Sequence, residues 1–254
     1  MSIKFVICGL EHSGTTLISD LFRQADGIDA GFEIGVLLAD TPSDFINYNP
    51  FAENILSGWK ITKEQFNHCC SAETYSEFYT RLQSASGVLS PGTNEIFDKT
   101  PRYLSRLNDC LEKTNVPFIA SFKDPRAIVH SDFKRSGTDD FSQWYREYLP
   151  KKRHYLRTCY LEYKTAKDKA DNRVEFIALE ELALNARNSM DRIFDHVGVP
   201  FSLDYVLLNG LRYENTRSNA VSIPIAFSYL ADFDETHTNR IEKDFAEFDE
   251  WFYR

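Results

Sequence analysis

No apolar run in this sequence is long enough to cross a bilayer, and its start lacks a basic segment followed by a hydrophobic one. A hydrocarbon core about 30 Å thick needs about 20 apolar residues in a helix, so neither a membrane span nor a secretory leader is expected. Cysteine is sparse. Its positions, Cys8, Cys69, Cys70, Cys110 and Cys159, are odd in number and show no CxxC spacing. That is the pattern of buried or free thiols in a reducing compartment rather than of a disulfide framework, and the chain is expected in the cytoplasm. Positive charge is also short, with 29 Lys and Arg against 38 Asp and Glu and a formal net charge of −9. A general nucleic-acid binder needs a basic face for phosphates, so that class is excluded. An anionic small ligand would have to be held by a locally positive pocket. Internal repeats, low-complexity segments and a dividing linker are absent too.

What is present is the composition of an ordinary globular protein, 43% apolar and 26% charged over 254 residues. One sizeable core fits that length, and the expectation is a single domain over 1–254. The run Ile3 to Cys8, closed by Gly9, reads as a buried strand. From Thr15 the period changes, with Leu17, Ile18, Leu21 and Phe22 at helical spacing. Further strands are predicted in Asn94–Pro101, Pro117–Phe122 and Val174–Leu179, with helices at Ala127–Lys134 and Asn188–Val197 after the last two. Strands alternating with helices predict an α/β fold, a mainly parallel sheet with helices on both faces. The aromatic-rich helical stretches Ile61–Ser84 and Phe141–Asp171 are expected to form a cap beside the sheet, taking in about residues 44–90 and 138–172.

Gly9 and Gly14, followed by Thr15 and Thr16, keep the glycine frame of the phosphate loop GxxxxGK[ST], but Thr15 stands where the lysine belongs. The glycines still permit a tight turn with inward amides, and a helix starting near Ser13 or Gly14 still offers its positive end to an anion. The hydroxyls of Ser13, Thr15 and Thr16 add donors. A lysine there serves a triphosphate held with magnesium, so its absence points to a shorter, less charged 5′ group. On this frame alone, an ordinary strand–turn–helix junction is an equal reading.

Four stretches then occur in order: GLEHSGTTLISDLF, DKTPRYL (Asp98–Leu104), SFKDPRAIVHSDFKR (Ser121–Arg135) and FIALEELALNARNSMDRIFDHVGVP (Phe176–Pro200). Together they resemble the sulfotransferase family that uses 3′-phosphoadenosine 5′-phosphosulfate (PAPS), most closely its protein-tyrosine and bacterial members. The resemblance implies a phosphate-loop α/β fold, a 5′-phosphosulfate at the loop and transfer without magnesium. The family's P-[KR]-S-G-T-T falls on Glu11, His12, Ser13, Gly14, Thr15 and Thr16, with His12 replacing the basic residue that steadies the breaking bond. A histidinium can serve as donor and general acid there, its pKa lying near neutrality; a neutral loop donor is the other reading. The family's 3′-phosphate site, a basic residue and a serine eight positions on, maps to Lys123 and Ser131, with Arg135 one helical turn later.

Sulfonate transfer to an alcohol needs a base and positive charge at the transferring group. Pro101 occupies the position where many family members carry a histidine base. The protein-tyrosine and bacterial members instead carry a glutamate that corresponds to Glu33, 21 residues after His12. Glu33 is therefore the candidate base and Lys99 the candidate partner of the sulfonate oxygens; a solvated carboxylate and a surface lysine are the plainer readings. Arg126 and His130 are read as structural, the run Lys151–Arg157 as a solvated helix face, and Phe245, Phe248 and Phe252 as core. Cys69, Cys70 and His68 lack a ligand set for a metal, so no metal site is expected. A late loop, Leu211–Pro224, with Arg217 and Ser218, corresponds to the family's adenine-side loop. The expected function is sulfonate transfer from PAPS to a hydroxyl of a small molecule, lipid or carbohydrate. A nucleotide or sugar kinase, or a catalytically inactive nucleotide binder, is the alternative.

Overall fold

The apolar run at the start of the chain becomes β1 (Ile3–Gly9), the middle strand of a five-stranded parallel sheet in the computed structural model, which describes residues 3–208 and 220–252. After it come α1 (Thr15–Phe22), β2 (Ile28–Asp29), α2 (Phe51–Gly58), α3 (Lys63–Cys70), α4 (Tyr75–Ala85), β3 (Glu95–Lys99) and α5 (Leu107–Lys113). The second half runs β4 (Phe118–Phe122), α6 (Pro125–Ser136), α7 (Phe141–Asp168), β5 (Val174–Ala178), α8 (Leu179–Leu184) and α9 (Ala186–His196). Four helices follow: α10 (Pro224–Phe227), α11 (Tyr229–Asp232), α12 (Glu235–Phe245) and α13 (Asp249–Phe252).

The strand order is β2-β3-β1-β4-β5. The chain fills one side of β1 and then crosses to the other, so the order reverses beside β1. In open parallel sheets ligands bind at the carboxyl ends of the strands around such a reversal. Both faces of β1 are covered, which is why its sequence is almost continuously apolar rather than alternating. Phe5 and Ile7 enter one core with Leu17, Leu21 and Phe22 of α1 and Phe194 of α9. Val6 and Cys8 enter the other, with residues of α2 to α7 and the carboxyl-terminal Phe245, Phe248 and Trp251.

Phe245 and Phe248 are buried and Phe252 packs at the core's margin, as their spacing predicts. All five cysteines are free and buried. The stretches expected to cap the sheet become α2 to α4 and the 28-residue α7. One expectation fails on α7. Lys151, His154 and Arg157 face solvent, but Lys152 is turned inward on the stripe that carries Tyr145, Leu156 and Cys159 and is only 8% exposed.

Candidate functional site at the carboxyl ends of the strands

The loop after β1 is shaped by close approach. A Cβ at Gly9 would stand 2.4 Å from the Ser121 carbonyl oxygen, and one at Gly14 would stand 2.6 Å from Leu179 Cδ1 at a φ of 87°. Only glycine fits either place. Ser13 is fully buried and its hydroxyl turns inward, donating to the carbonyls of Leu10 (2.6 Å) and Ser121 (3.0 Å). Its single proton is thereby committed to locking the loop onto β4 rather than to an anion. Gly14 caps α1 without any side-chain cap. The first intrahelical bond runs from the Ile18 amide to Gly14 O (2.9 Å), which leaves the amides of the first turn as donors at the positive helix end. Thr15 is buried and Thr16 half-buried in that turn.

His12 stands in the left-handed region, with φ 65°, and its Nε2 lies 3.7 Å from Asp132 Oδ1. Its side chain keeps 36% of its surface exposed, yet desolvation of the rest and the positive charge of Arg135 lower its pKa to about 4; Asp132 pulls upward, while Lys123 and Lys152 push down. The near-neutral pKa expected from the sequence therefore does not hold for the protein alone, and the imidazole is uncharged at pH 7. A phosphate arriving beside it would raise that pKa.

Lys123 follows β4 directly and is 5% exposed, with no ion pair or hydrogen bond among the described residues. Burial lowers its pKa to about 8, opposed by Glu180 and Asp132 and reinforced by Arg135 and Lys152. Glu180 accepts the Asp124 amide at 2.9 Å, yet burial raises its pKa to about 7. A buried cation without a contacting carboxylate is costly unless something anionic arrives. On α6, Arg135 reaches Ser131 Oγ across one helical turn, so the three residues predicted for the 3′-phosphate share this corner. Arg126 binds Asp124 (2.9 Å) and Glu242, tying α6 to α12, and His130 Nε2 contacts Asp232 at 2.6 Å. Both are structural, as read from the sequence.

On the other side of β1, Lys99 Nζ donates to Glu33 Oε1 at 2.8 Å and sits 5.3 Å from the centre of the Phe32 ring. Lys99 is buried while the Glu33 side chain is 25% exposed. The turn that carries Glu33 is pinned from beneath. The Ile34 and Gly35 amides donate to Thr100 Oγ1 (3.1 Å each), and Thr100 Oγ1 donates to Asp98 Oδ1 (2.7 Å). Tyr79 and Tyr103 hydroxyls donate to Asp98 Oδ2 (2.7 and 2.6 Å), and the Leu37 amide donates to Tyr103 Oη at 3.3 Å. Burial raises the Asp98 pKa against the pull of these hydroxyls. Beside Phe32 an open cavity of about 550 Å³ is lined also by Asn54, Ser57, Lys60 and Val88.

Sequence reasoning missed Asp132, Lys152, Glu180 and the Asp98 network. Lys152 carried a signal: it is the charged member of an otherwise apolar and aromatic stripe at spacings of three and four. The others had none, since each acquires its role only by meeting a distant element. Arg217 and Ser218 lie outside the described residues.

In fold the chain is similar to the sulfotransferase domain of the Synechococcus PCC 7002 olefin synthase, at 17% identity and a TM-score of 0.64 over 95% of this chain and 93% of that one. It is likewise similar to the sulfotransferase domain of the curacin biosynthetic pathway (15% identity, TM-score 0.60, 95% and 96% covered). Mouse sulfotransferase SULT7A1, solved with PAP, aligns at 11% identity and a TM-score of 0.53 over 99% and 86%. No curated protein matches the sequence. The sequence model of the sulfotransferase family matches residues 5–203, more than three quarters of the chain. The chain belongs to the sulfotransferase family, and its reaction is the transfer of a sulfonate group.

Proposed function

We propose that this sulfotransferase takes its sulfonate from PAPS and delivers it to the hydroxyl of a small-molecule, lipid or carbohydrate acceptor. The observation that carries this reading is Lys123, a buried cation with no partner among the described residues, beside Ser131 and Arg135 and next to an uncapped helix start. Two anion sites at one corner of the sheet fit a nucleotide with phosphate at both 3′ and 5′ positions. The PAP held by the mouse relative supports the same choice.

When bound, PAPS supplies the sulfonate and a bisphosphate leaving group. The first-turn amides of α1, with the Thr15 and Thr16 hydroxyls, hold the 5′ group, and Lys123, Ser131 and Arg135 hold the 3′-phosphate. His12 donates toward the oxygen that gains charge as the bond breaks. Glu33 takes the proton of the acceptor hydroxyl, and Lys99 fixes the Glu33 carboxylate and offers charge to the sulfonate oxygens. The acceptor approaches from the Phe32 cavity, whose wall mixes aromatic, aliphatic and polar groups. Positioning and fixed charge supply the catalysis.

Melting in the presence of nucleotides tests the reading. At a hundred times its dissociation constant a ligand adds about 2.7 kcal/mol, so PAP should raise the melting temperature clearly and AMP far less. An equal shift with AMP, or a larger one with magnesium ATP, would overturn it.

A further inference from the structure

We infer that Asp132 is the positioning residue that lets His12 stand in for the basic side chain its loop lacks, an assignment that rests on the PAPS reading. Two donors from α7 pin one oxygen of this carboxylate. Tyr148 Oη donates to Oδ2 at 2.7 Å and Lys152 Nζ to the same atom at 2.8 Å. Oδ1 is left facing His12 Nε2 at 3.7 Å, too long for a hydrogen bond and within ion-pair range. Held at one oxygen, the carboxylate cannot swing, so the direction of the other toward the imidazole is fixed. His12 Nδ1 has no partner among the described residues and is the nitrogen left for an anion.

Charge decides when the contact matters. The groups acting on His12 are Asp132 and Arg135 from α6, Lys123 from the end of β4 and Lys152 from α7. Asp132 is the one among them that favours the imidazolium. Desolvation first, and then the three cations, outweigh it in the protein alone and keep the ring neutral. A phosphate dianion at the loop offsets those cations, and Asp132 then holds Nε2–H while Nδ1–H donates to the anion. A lysine at this position would need no such partner, being charged at every relevant pH. Lys152, turned inward on the core stripe of α7, is buried where it holds Asp132.

The test follows the His12 imidazole by NMR in histidine-labelled protein, with the resonance assigned by its loss in His12→Gln, titrated with and without saturating PAP. In the wild type PAP should raise the His12 pKa from about 4 to near neutrality, and in Asp132→Asn the PAP-bound value should fall by at least about one unit, since an opposite charge within ~4–6 Å is worth about 1–3 units. The PAP-induced melting shift of Asp132→Asn should stay close to that of the wild type. If that variant unfolds because Lys152 is left unpaired, Asp132→Asn/Lys152→Met is compared with Lys152→Met, and the same loss is expected. An unchanged PAP-bound His12 pKa in the variants, while PAP still binds, overturns the role of Asp132 alone. Failure of the wild type to bind PAP overturns both this role and the PAPS reading.

Discussion

Glu33 and Lys99 are 66 positions apart in the chain and meet at 2.8 Å. If Glu33 is the proposed base and faces the acceptor, Glu33→Gln should lower turnover on a good acceptor by about 10² to 10⁴ and leave the PAP melting shift unchanged. Undiminished turnover would place the base elsewhere. His12→Ala should lose turnover through the missing donor, and His12→Lys should keep or raise it, read in the same assay. Lys123 makes a prediction of the opposite sign for stability. Its pKa falls from 10.5 to about 8 on folding, so the charged form is penalised in the native state. That cost is fully present below about pH 8 and fades as the pH rises toward 10.5. Lys123→Met should therefore stabilise the protein without nucleotide at pH 7, by up to about 3 kcal/mol, and abolish the PAP shift. In the wild type the PAP dissociation constant should rise above pH 8, by up to about tenfold per pH unit as the ammonium is lost. A flat binding profile to pH 9.5 would remove Lys123 from the phosphate site.

Among the elements, the turn after β2 depends on β3 for its shape. Thr100 at the end of β3 accepts two amides of that turn and passes its own proton to the buried Asp98. Thr100→Val leaves those groups unsatisfied and should cost about 1–3 kcal/mol in urea denaturation. It should also lower kcat with little change in PAP affinity, since Glu33 rides on the same turn. Thr100→Ser restores the oxygen and should restore kcat; a variant that loses stability but keeps full kcat would separate the network from Glu33. The phosphate loop behaves differently. Gly9 and Ser13 brace it against Ser121 of β4, and Gly14 against Leu179, yet its GxxxxG frame is legible in the sequence because the glycines those approaches require are neighbours in the chain.

Across the molecule, the carboxyl-terminal helix supports the end of β4 that leads into Lys123. Trp251 is fully buried, stacked on Tyr163 at 5.4 Å between ring centres and 5.8 Å from Phe122, the residue before Lys123. Trp251→Ala should cost about 3–5 kcal/mol, measured as a lower urea midpoint at unchanged slope. A change below about 1 kcal/mol would show that this end of the chain carries little of the core. The net charge of −9 and a basic corner coexist because Lys123, Arg135 and Lys152 lie close enough to act on one another there.

The sequence by itself determined the parts that are local. A strand's apolar run, the glycine frame and the helical spacing of Ser131 and Arg135 need only neighbours a few positions away, so their periods could be read directly. The ordered motifs likewise pointed to the family before the sheet was seen. Tertiary structure alone decided what distant elements do to one another. It brought Glu33 to Lys99, set Asp132 between His12 and Lys152, and buried Lys152 where charge spacing suggested solvent. It also decided protonation, because a side chain's pKa is fixed by its burial and by the charges around it, and neither exists until the elements have packed.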